Sequence, residues 1–316
     1  MTNRLPRRLA CTLVISAAAA AQGDVITFDG SESSSWHDPD NWTPPGVPTE
    51  ADRVVIPDGK WCQIENDDAF ADTIVVEEGG ILEIMSGMVL TLDNDDDNFE
   101  PHDPDHSIVN GIVWIRYDPD PAILRVADAS HTFVGEGAIH GWDETALVEI
   151  GAGLMLMNGL NDPLGGFRGG MTIRGLTGTG LSNGAFRNLG VVNARAGDLV
   201  LHADTLLEDI EGAVWTVTAC KSSLIFDREC LTLLGDFIKP NDATYGSDGR
   251  GAMVFNADIK TCGEFVYYVA GLYFNNGACF MYESFSGSLT NPGLCKPPVD
   301  CNNPWFCCDE QPRSCA

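Results

Sequence analysis

Four aspartates crowd the run LDNDDDNFE at residues 92–100. Carboxylates packed this closely repel one another unless a cation lies between them. Asp93, Asp95 and Asp97 are therefore candidate ligands for calcium, the cofactor the sequence suggests. The run lacks the glycine at position six and the distal glutamate of a helix–loop–helix calcium loop. A solvated acidic loop is the competing reading. A second set of candidates recurs as HDPDN (37–41), HDPDH (102–106) and DPDP (118–121). His102, Asp103, Asp105 and His106 offer imidazole and carboxylate to a divalent metal. Against that, Asp-Pro is a turn former whose carboxylate takes nearby backbone N–H groups, and the turn reading is preferred.

The stretch GAFRNLGVVNARAGD (184–198) holds Arg187, Arg195 and Asp198. An arginine base beside carboxylates would suit a polysaccharide lyase, whereas arginines on an outward strand simply stay in water. Asn183, Asn188 and Asn193 fit a stacked polar ladder or corner bonds inside a coil. GLTGTGLSNG (175–184) lacks the Lys-Ser/Thr ending and the following helix of a phosphate loop. No Ser-His-Asp or Cys-His pattern stands out along the chain.

Cysteines carry the remaining chemistry. Residues 1–21 read as an export signal, with basic Arg4, Arg7 and Arg8, an apolar run over 9–21 and small residues before Gln22. That run is too short to span a membrane. Processing there removes Cys11 and three arginines, leaves ten cysteines, and moves the formal charge from −28 to −31. An even number in an exported chain favours disulfides. Cys62, Cys220, Cys230, Cys262 and Cys279 lie in the body; Cys295, Cys301, Cys307, Cys308 and Cys315 lie in the tail. Both groups are odd, so complete pairing within one chain requires bridges from tail to body. The tail spacing does not match a C-x2-C zinc module. The strongly acidic balance excludes DNA, RNA and anionic membranes as partners, and leaves cell-envelope or matrix polysaccharides and surface proteins.

The elements that must position these groups are strands. Outside residues 1–21 no long helical periodicity occurs. Short alternating runs such as TIVVEEGG, ILEIMSG, GIVWIRYD, GDLVLHAD and AMVFNAD recur, rich in β-branched residues and separated by glycine. GDLVLHAD (197–204) and GAMVFNAD (251–258) share the frame G-x-x-V-x-x-A-D, and AILRVADA (122–129) and GAVWTVTA (212–219) are looser relatives. Such self-similarity is the mark of stacked coils. The Asn-Gly pairs at 110, 158, 183 and 276 support a rival antiparallel sandwich, because Asn-Gly is a strong hairpin signal. In TIVVEEGGILEIMSGMVLTLD, however, three strands follow with little room to reverse, which suits the bends of one coil. About 20 residues per coil over residues 50–290 gives ~12 coils, a stack ~55–60 Å long. The divisions expected are a cap over 22–53, a parallel β-helix over 54–290, and a cysteine-rich cover over 291–316. Trp36 and Trp42 would close the first coil, and Pro39, Pro44, Pro45 and Pro48 would keep that end from recruiting strands.

The run W-x-D-P-x-N-W, then G-x-P, then a D-x-V-x-I-like strand (Trp36 to Ile56) resembles the opening segment of secreted bacterial right-handed parallel β-helix proteins. Residues 173–201 resemble the G-x-G…N-x-G-x-V-x-A coils of that broad group, which includes pectin-lyase-like and autotransporter-passenger-like chains. The resemblance implies a right-handed β-helix over most of the chain. It implies no single activity, because this architecture hosts lyases, hydrolases, adhesins and inert stalks. The expected function is a secreted or cell-surface, non-catalytic solenoid with a structural or adhesive role. The alternative is a carbohydrate-active enzyme, a lyase or glycoside hydrolase, whose groove would turn Trp114, Trp142 and Trp215 outward together.

Overall fold

The computed structural model describes residues 23–93, 106–116, 119–162, 166–210, 213–217 and 222–227. Beyond these it describes the backbone of strands Leu231–Leu233, Asp236–Lys239, Ala252–Phe255, Ile259–Tyr267, Leu272–Phe274, Phe280–Gly287 and Leu294–Cys295. The chain is a parallel β-helix. Among the described strands every pairing is parallel except one, in which Val25–Phe28 runs antiparallel to Trp42–Thr43. The antiparallel sandwich is thereby excluded. Asn110-Gly111 shows why the hairpin signal misleads: it turns the corner between Ser107–Val109 and Ile112–Ile115 within one coil.

Each coil has three faces. In the second coil these are Thr73–Val76, Ile81–Ile84 and Val89–Asp93, the three strands whose close spacing argued for a coil. Coils begin at Arg53, Thr73, Ser107, His131, Met155, Ala185, Leu206, Leu231, Ile259 and Phe280. Among the described strands that makes ten coil starts, with Leu294–Cys295 stacked on Phe280–Met281 as the opening of an eleventh, where about twelve coils were expected. The difference lies in corners lengthened by irregular segments, such as residues 176–184. In the middle of the stack the second and third faces fuse into single bent strands, Ala138–Ile150, Phe167–Gly175 and Val191–Leu201.

Alternation along each strand turns every second side chain inward, and coil register stacks these into rows. On the second face the row runs Cys62, Leu82, Val113, Ile139, Phe167, Val192, Trp215. On the third it runs Ala69, Leu90, Leu124, Val148, Ile173, Leu201, Phe226. These residues are 0–1% exposed. Burying each large aliphatic or aromatic side chain contributes about 1.5–3 kcal/mol. The G-x-x-V-x-x-A-D frame has a physical origin here: Val200 and Val254 occupy one column, joined through Ile225. The looser pair does not share a column, since Ile123–Ala127 lies on the third face and Val214–Val217 on the second.

Gly80, Gly111 and Gly137 stack at the corner between the first and second faces. A Cβ on Gly111 would sit 2.2 Å from the Gly80 carbonyl oxygen, and one on Gly137 2.1 Å from that of Gly111. Only glycine lets successive turns approach this closely.

The N-terminal stretch covers the first coil. Trp36 and Trp42 are 0% and 1% exposed and meet edge to face, with ring centroids 5.0 Å apart. Trp42 Nε1 donates to the Trp36 carbonyl at 2.7 Å. Asp38 caps the short 3-10 turn Pro39–Asn41 by accepting from Asp40 N. Buried Asn41 accepts from the backbone N–H groups of Glu32 and Ser33 and donates to Ser33 Oγ and the Ser35 carbonyl. His37 Nε2 lies 3.2 Å from the Asp68 carbonyl. The chemistry-bearing residues of this segment are thus committed to its own folding.

Candidate functional site

The sequence-derived candidates disperse. Asp93 ends the strand Val89–Asp93, half-buried, in register with Ala127. Asp95, Asp97, His102, Asp103 and Asp105 lie outside the described residues. Among the described residues no group of three or more His, Cys, Asp or Glu side chains is placed to hold a metal ion. Arg187 lies on the first face, where its Nε donates to Glu208 at 2.8 Å. Arg195 lies on the second, so the two arginines do not share a site. The polar ladder is real but has other members. Asn158 Nδ2 donates to Asn188 Oδ1 at 2.8 Å inside the first face. Asn183 instead bonds the Asp204 carbonyl, and Asn193 belongs to the second face.

Cys62 requires a correction. It was counted among the disulfide candidates, but it is a free thiol, 0% exposed, in the inward row beside Leu82. Burial, then the charge of Glu65, pushes that thiol well above its ordinary range. Of the other cysteines, Cys262 and Cys295 lie in strands Ile259–Tyr267 and Leu294–Cys295, with only their backbone described. Cys220, Cys230, Cys279, Cys301, Cys307, Cys308 and Cys315 lie outside the described residues. With Cys62 unbridged, nine body and tail cysteines remain, and that number is odd.

Ser107 and His131 form a serine–histidine contact that the linear pattern gave no reason to expect. Ser107 Oγ lies 2.8 Å from His131 Nε2 and accepts from Ile74 N at 2.9 Å. Both side chains are sealed in the core, at 0% and 1% exposure. Burial, followed by the charge of His106, lowers the His131 pKa to about 4. No substrate reaches this pair, and it serves to stitch adjacent coils.

Among the described residues, the exterior constellation that gathers aromatic and charged groups lies on the second face. The outward column there reads Gln63, Glu83, Trp114, His140, Arg168, Asn193. Glu83 is 1% exposed although it points outward. Its carboxylate accepts from Trp61 Nε1 and Gln63 Nε2, each at 2.9 Å, and pairs with Arg116. The Arg116 guanidinium then lies between two indoles, 4.9 Å from the Trp114 ring and 4.0 Å from Trp142. Flanking an arginine this way favours the cation through the ring quadrupoles. Trp142 stacks beside His140, with centroids 6.5 Å apart and planes 15° off parallel.

The outer parts of this patch remain open. Trp142 and Trp61 are 48% and 47% exposed. On the far side of Trp142 its register neighbour is Gly170, which is buried and offers no side chain. A Cβ there would meet the Asp143 Cα at 2.6 Å, so the floor is closely packed backbone. Burial first, then the charges of Arg168, Arg195 and Arg116, lowers the His140 pKa to about 4. The imidazole is thus neutral at ordinary pH, in the field of three cations. Arg168 is neutralised by Asp162 at 2.6 Å, and Arg116 by Glu83. Arg195 has no carboxylate partner among the described residues.

Trp114 and Trp142 therefore face outward together, while Trp215 is 0% exposed and packs against Phe186 and Phe226. The class the fold defines is a parallel β-helix with an aromatic and cationic patch on one face. A family model described as a domain of unknown function (DUF8693) matches residues 27–98, which span the lid and the first two coils. Neither the curated proteins nor the solved structures return a match. Among the described residues no helix is long and apolar enough to cross a membrane.

Proposed function

We propose that this chain is an exported, non-catalytic β-solenoid that acts at a cell surface or in its matrix as a structural or adhesive element. Its partner would be a polysaccharide or a surface protein. The observation carrying this reading is how the polar groups are used. Glu83–Arg116, Arg125–Glu149 and Arg187–Glu208 each link one coil to the next, and Ser107–His131 does so inside. Groups that could do acid–base chemistry are spent on holding the stack together. Among the described residues, what is left for a partner is the open aromatic patch around Trp142. Large aromatics on a rigid scaffold bind at low entropic cost.

A second reading, a carbohydrate-active enzyme of lyase or hydrolase type, draws support from the outward pair Trp114 and Trp142 beside His140 and three arginines. Incubation of the full chain with a broad polysaccharide panel separates the two. The adhesive reading expects retention of the protein on one or more immobilised polymers with no new unsaturated or reducing ends. Release of such ends, abolished by His140→Ala, would replace it with the enzyme.

A further inference from the structure

We propose that Trp142 and Arg195 hold one residue of an anionic glycan, the pyranose ring lying on the exposed indole and its carboxylate or sulfate pairing with the guanidinium. The inference rests on the surface-binding reading above and names the ligand class for that same patch.

The chemistry points this way in three steps. The first is shape. Trp142 is held from one side by Arg116 at 4.0 Å and by the His140 ring beside it. Its orientation is therefore fixed before any ligand arrives, which removes an ordering cost. About half of the side chain remains open, over a floor of packed backbone rather than in a deep cavity. A flat apolar face on a shallow floor suits the C–H face of a sugar ring.

The second step is charge. The chain has 46 acidic and 18 basic residues, yet Arg116, Arg168 and Arg195 all bear on His140. Two of these cations are satisfied by Glu83 and Asp162, and among the described residues Arg195 is left over. At physiological salt the field of distant carboxylates is screened beyond about 8 Å. A ligand on this patch therefore meets Arg195, with Asp143 bonded to Thr145 beside the indole, rather than the net charge. A planar guanidinium pairs with carboxylate or sulfate oxygens through two donors at once.

The third step is spacing. Arg195 follows Ala194, the register partner of Gly169, and opens the bulge at which the pairing shifts, so that Gly197 packs against Gly170, the register partner of Trp142. Arg195 thus stands two coils from Trp142, about 10 Å along the stack at ~4.8 Å per strand. The intervening coil contributes Arg168, tied to Asp162, and at the point facing Trp142 only Gly170. A pyranose stacked on the indole spans this interval with its charged substituent directed at Arg195.

The test uses the full chain and measures binding by titration of intrinsic tryptophan fluorescence and by calorimetry. The probes are a hyaluronan octasaccharide, its carboxyl-reduced form, a chondroitin sulfate octasaccharide with its carboxyls reduced, and an octaglutamate peptide. Binding of the hyaluronan octasaccharide should weaken about tenfold or more in Trp142→Ala and in Arg195→Gln. It should be unchanged in Phe70→Ala, whose ring is exposed on the third face. Arg195→Lys should retain part of the affinity, and thermal unfolding checks that each variant is folded. If Trp142→Ala unfolds, Arg195→Gln carries the test. Loss of binding on carboxyl reduction assigns the carboxylate, and binding of the carboxyl-reduced sulfated probe adds the sulfate. If the reduced hyaluronan binds equally well and still depends on Trp142, the anionic pairing is wrong while the surface reading stands. Equal competition by octaglutamate would reduce the patch to simple charge attraction and overturn the proposal. If no oligosaccharide binds, both the proposal and a glycan partner for this face fall.

Discussion

Replacing Asn188 with alanine tests the internal ladder most sharply. Asn188 is 0% exposed. Its Oδ1 accepts from Asn158 Nδ2 at 2.8 Å and from Gly190 N at 3.2 Å, and its Nδ2 donates to the Val214 carbonyl at 3.2 Å. Truncation strands the Gly190 N–H, at about 1–3 kcal/mol for a buried unsatisfied group. Asn158 Nδ2 keeps a weak alternative, the Val191 carbonyl at 3.3 Å, so its loss is partial. The bond to Val214 is long and adds under ~1 kcal/mol. Together these amount to roughly 3 kcal/mol, a fall in Tm of about 5 °C for a chain of this length. Urea unfolding followed by circular dichroism gives the number. Asn66→Ala, whose amide makes one exposed bond to Glu65, should cost under ~0.5 kcal/mol. Combining Asn158→Ala with Asn188→Ala should show coupling of at least ~0.5 kcal/mol. If Asn188→Ala matches Asn66→Ala, the ladder contributes nothing and the bonded-coil reasoning fails.

Other outcomes follow from the same structure. Trp36→Ala should destabilise by about 3–5 kcal/mol, because it removes one of the two fully buried tryptophans of the lid; chemical denaturation measures it, and a cost under ~1 kcal/mol would refute the lid. Cys62 should resist iodoacetamide in the native protein and be alkylated in urea without reductant, as mass spectrometry reads directly; its recovery in a disulfide would contradict the buried thiol. His131 titrates at about 4 when folded against about 6.5 when unfolded, so the unfolded chain binds more protons between these values. Stability should therefore be full above pH 6.5 and fall towards pH 4, by up to about 1.4 kcal/mol per pH unit for this group. His131→Leu should lessen that slope, with His140, also lowered to about 4, supplying the remainder, and an unchanged slope would place the proton elsewhere.

Much of the fold is legible along the chain because its determinants are local. TIVVEEGGILEIMSGMVLTLD carries three short alternating runs with no room to reverse, and that alone implies the bends of a coil. Trp36 and Trp42 sit in a stretch with Pro39, Pro44, Pro45 and Pro48, which is the composition of a cap. The number of coils is less legible, because a corner such as residues 176–184 has no period and its length follows no pattern. The Asn-Gly pairs favour a hairpin locally and are overruled by the inter-coil bonds that tertiary stacking supplies. The patch around Trp142 is invisible in the linear order. Trp61, Glu83, Arg116 and Trp142 become neighbours only through coil register, and no motif links them. Asn158 reads only as an Asn-Gly turn along the chain for the same reason: its partner Asn188 lies 30 residues away. The acidic and HDPDH runs drew attention because their residues are adjacent in sequence, whereas chemistry on a solenoid is assembled across coils.

Register itself is the most direct thing to measure. Spin labels on non-canonical residues at Thr132 and Glu208 are separated by three coil steps, through Met157 and Arg187. Labels at Val55 and Glu208 are separated by six. Parallel stacking predicts separations along the stack of about 14 Å and 29 Å at ~4.8 Å per step, so pulsed dipolar spectroscopy should find the second pair about twice as far apart as the first. Equal distances, or a shorter one for the second pair, would contradict the coil order on which the patch and its ligand depend.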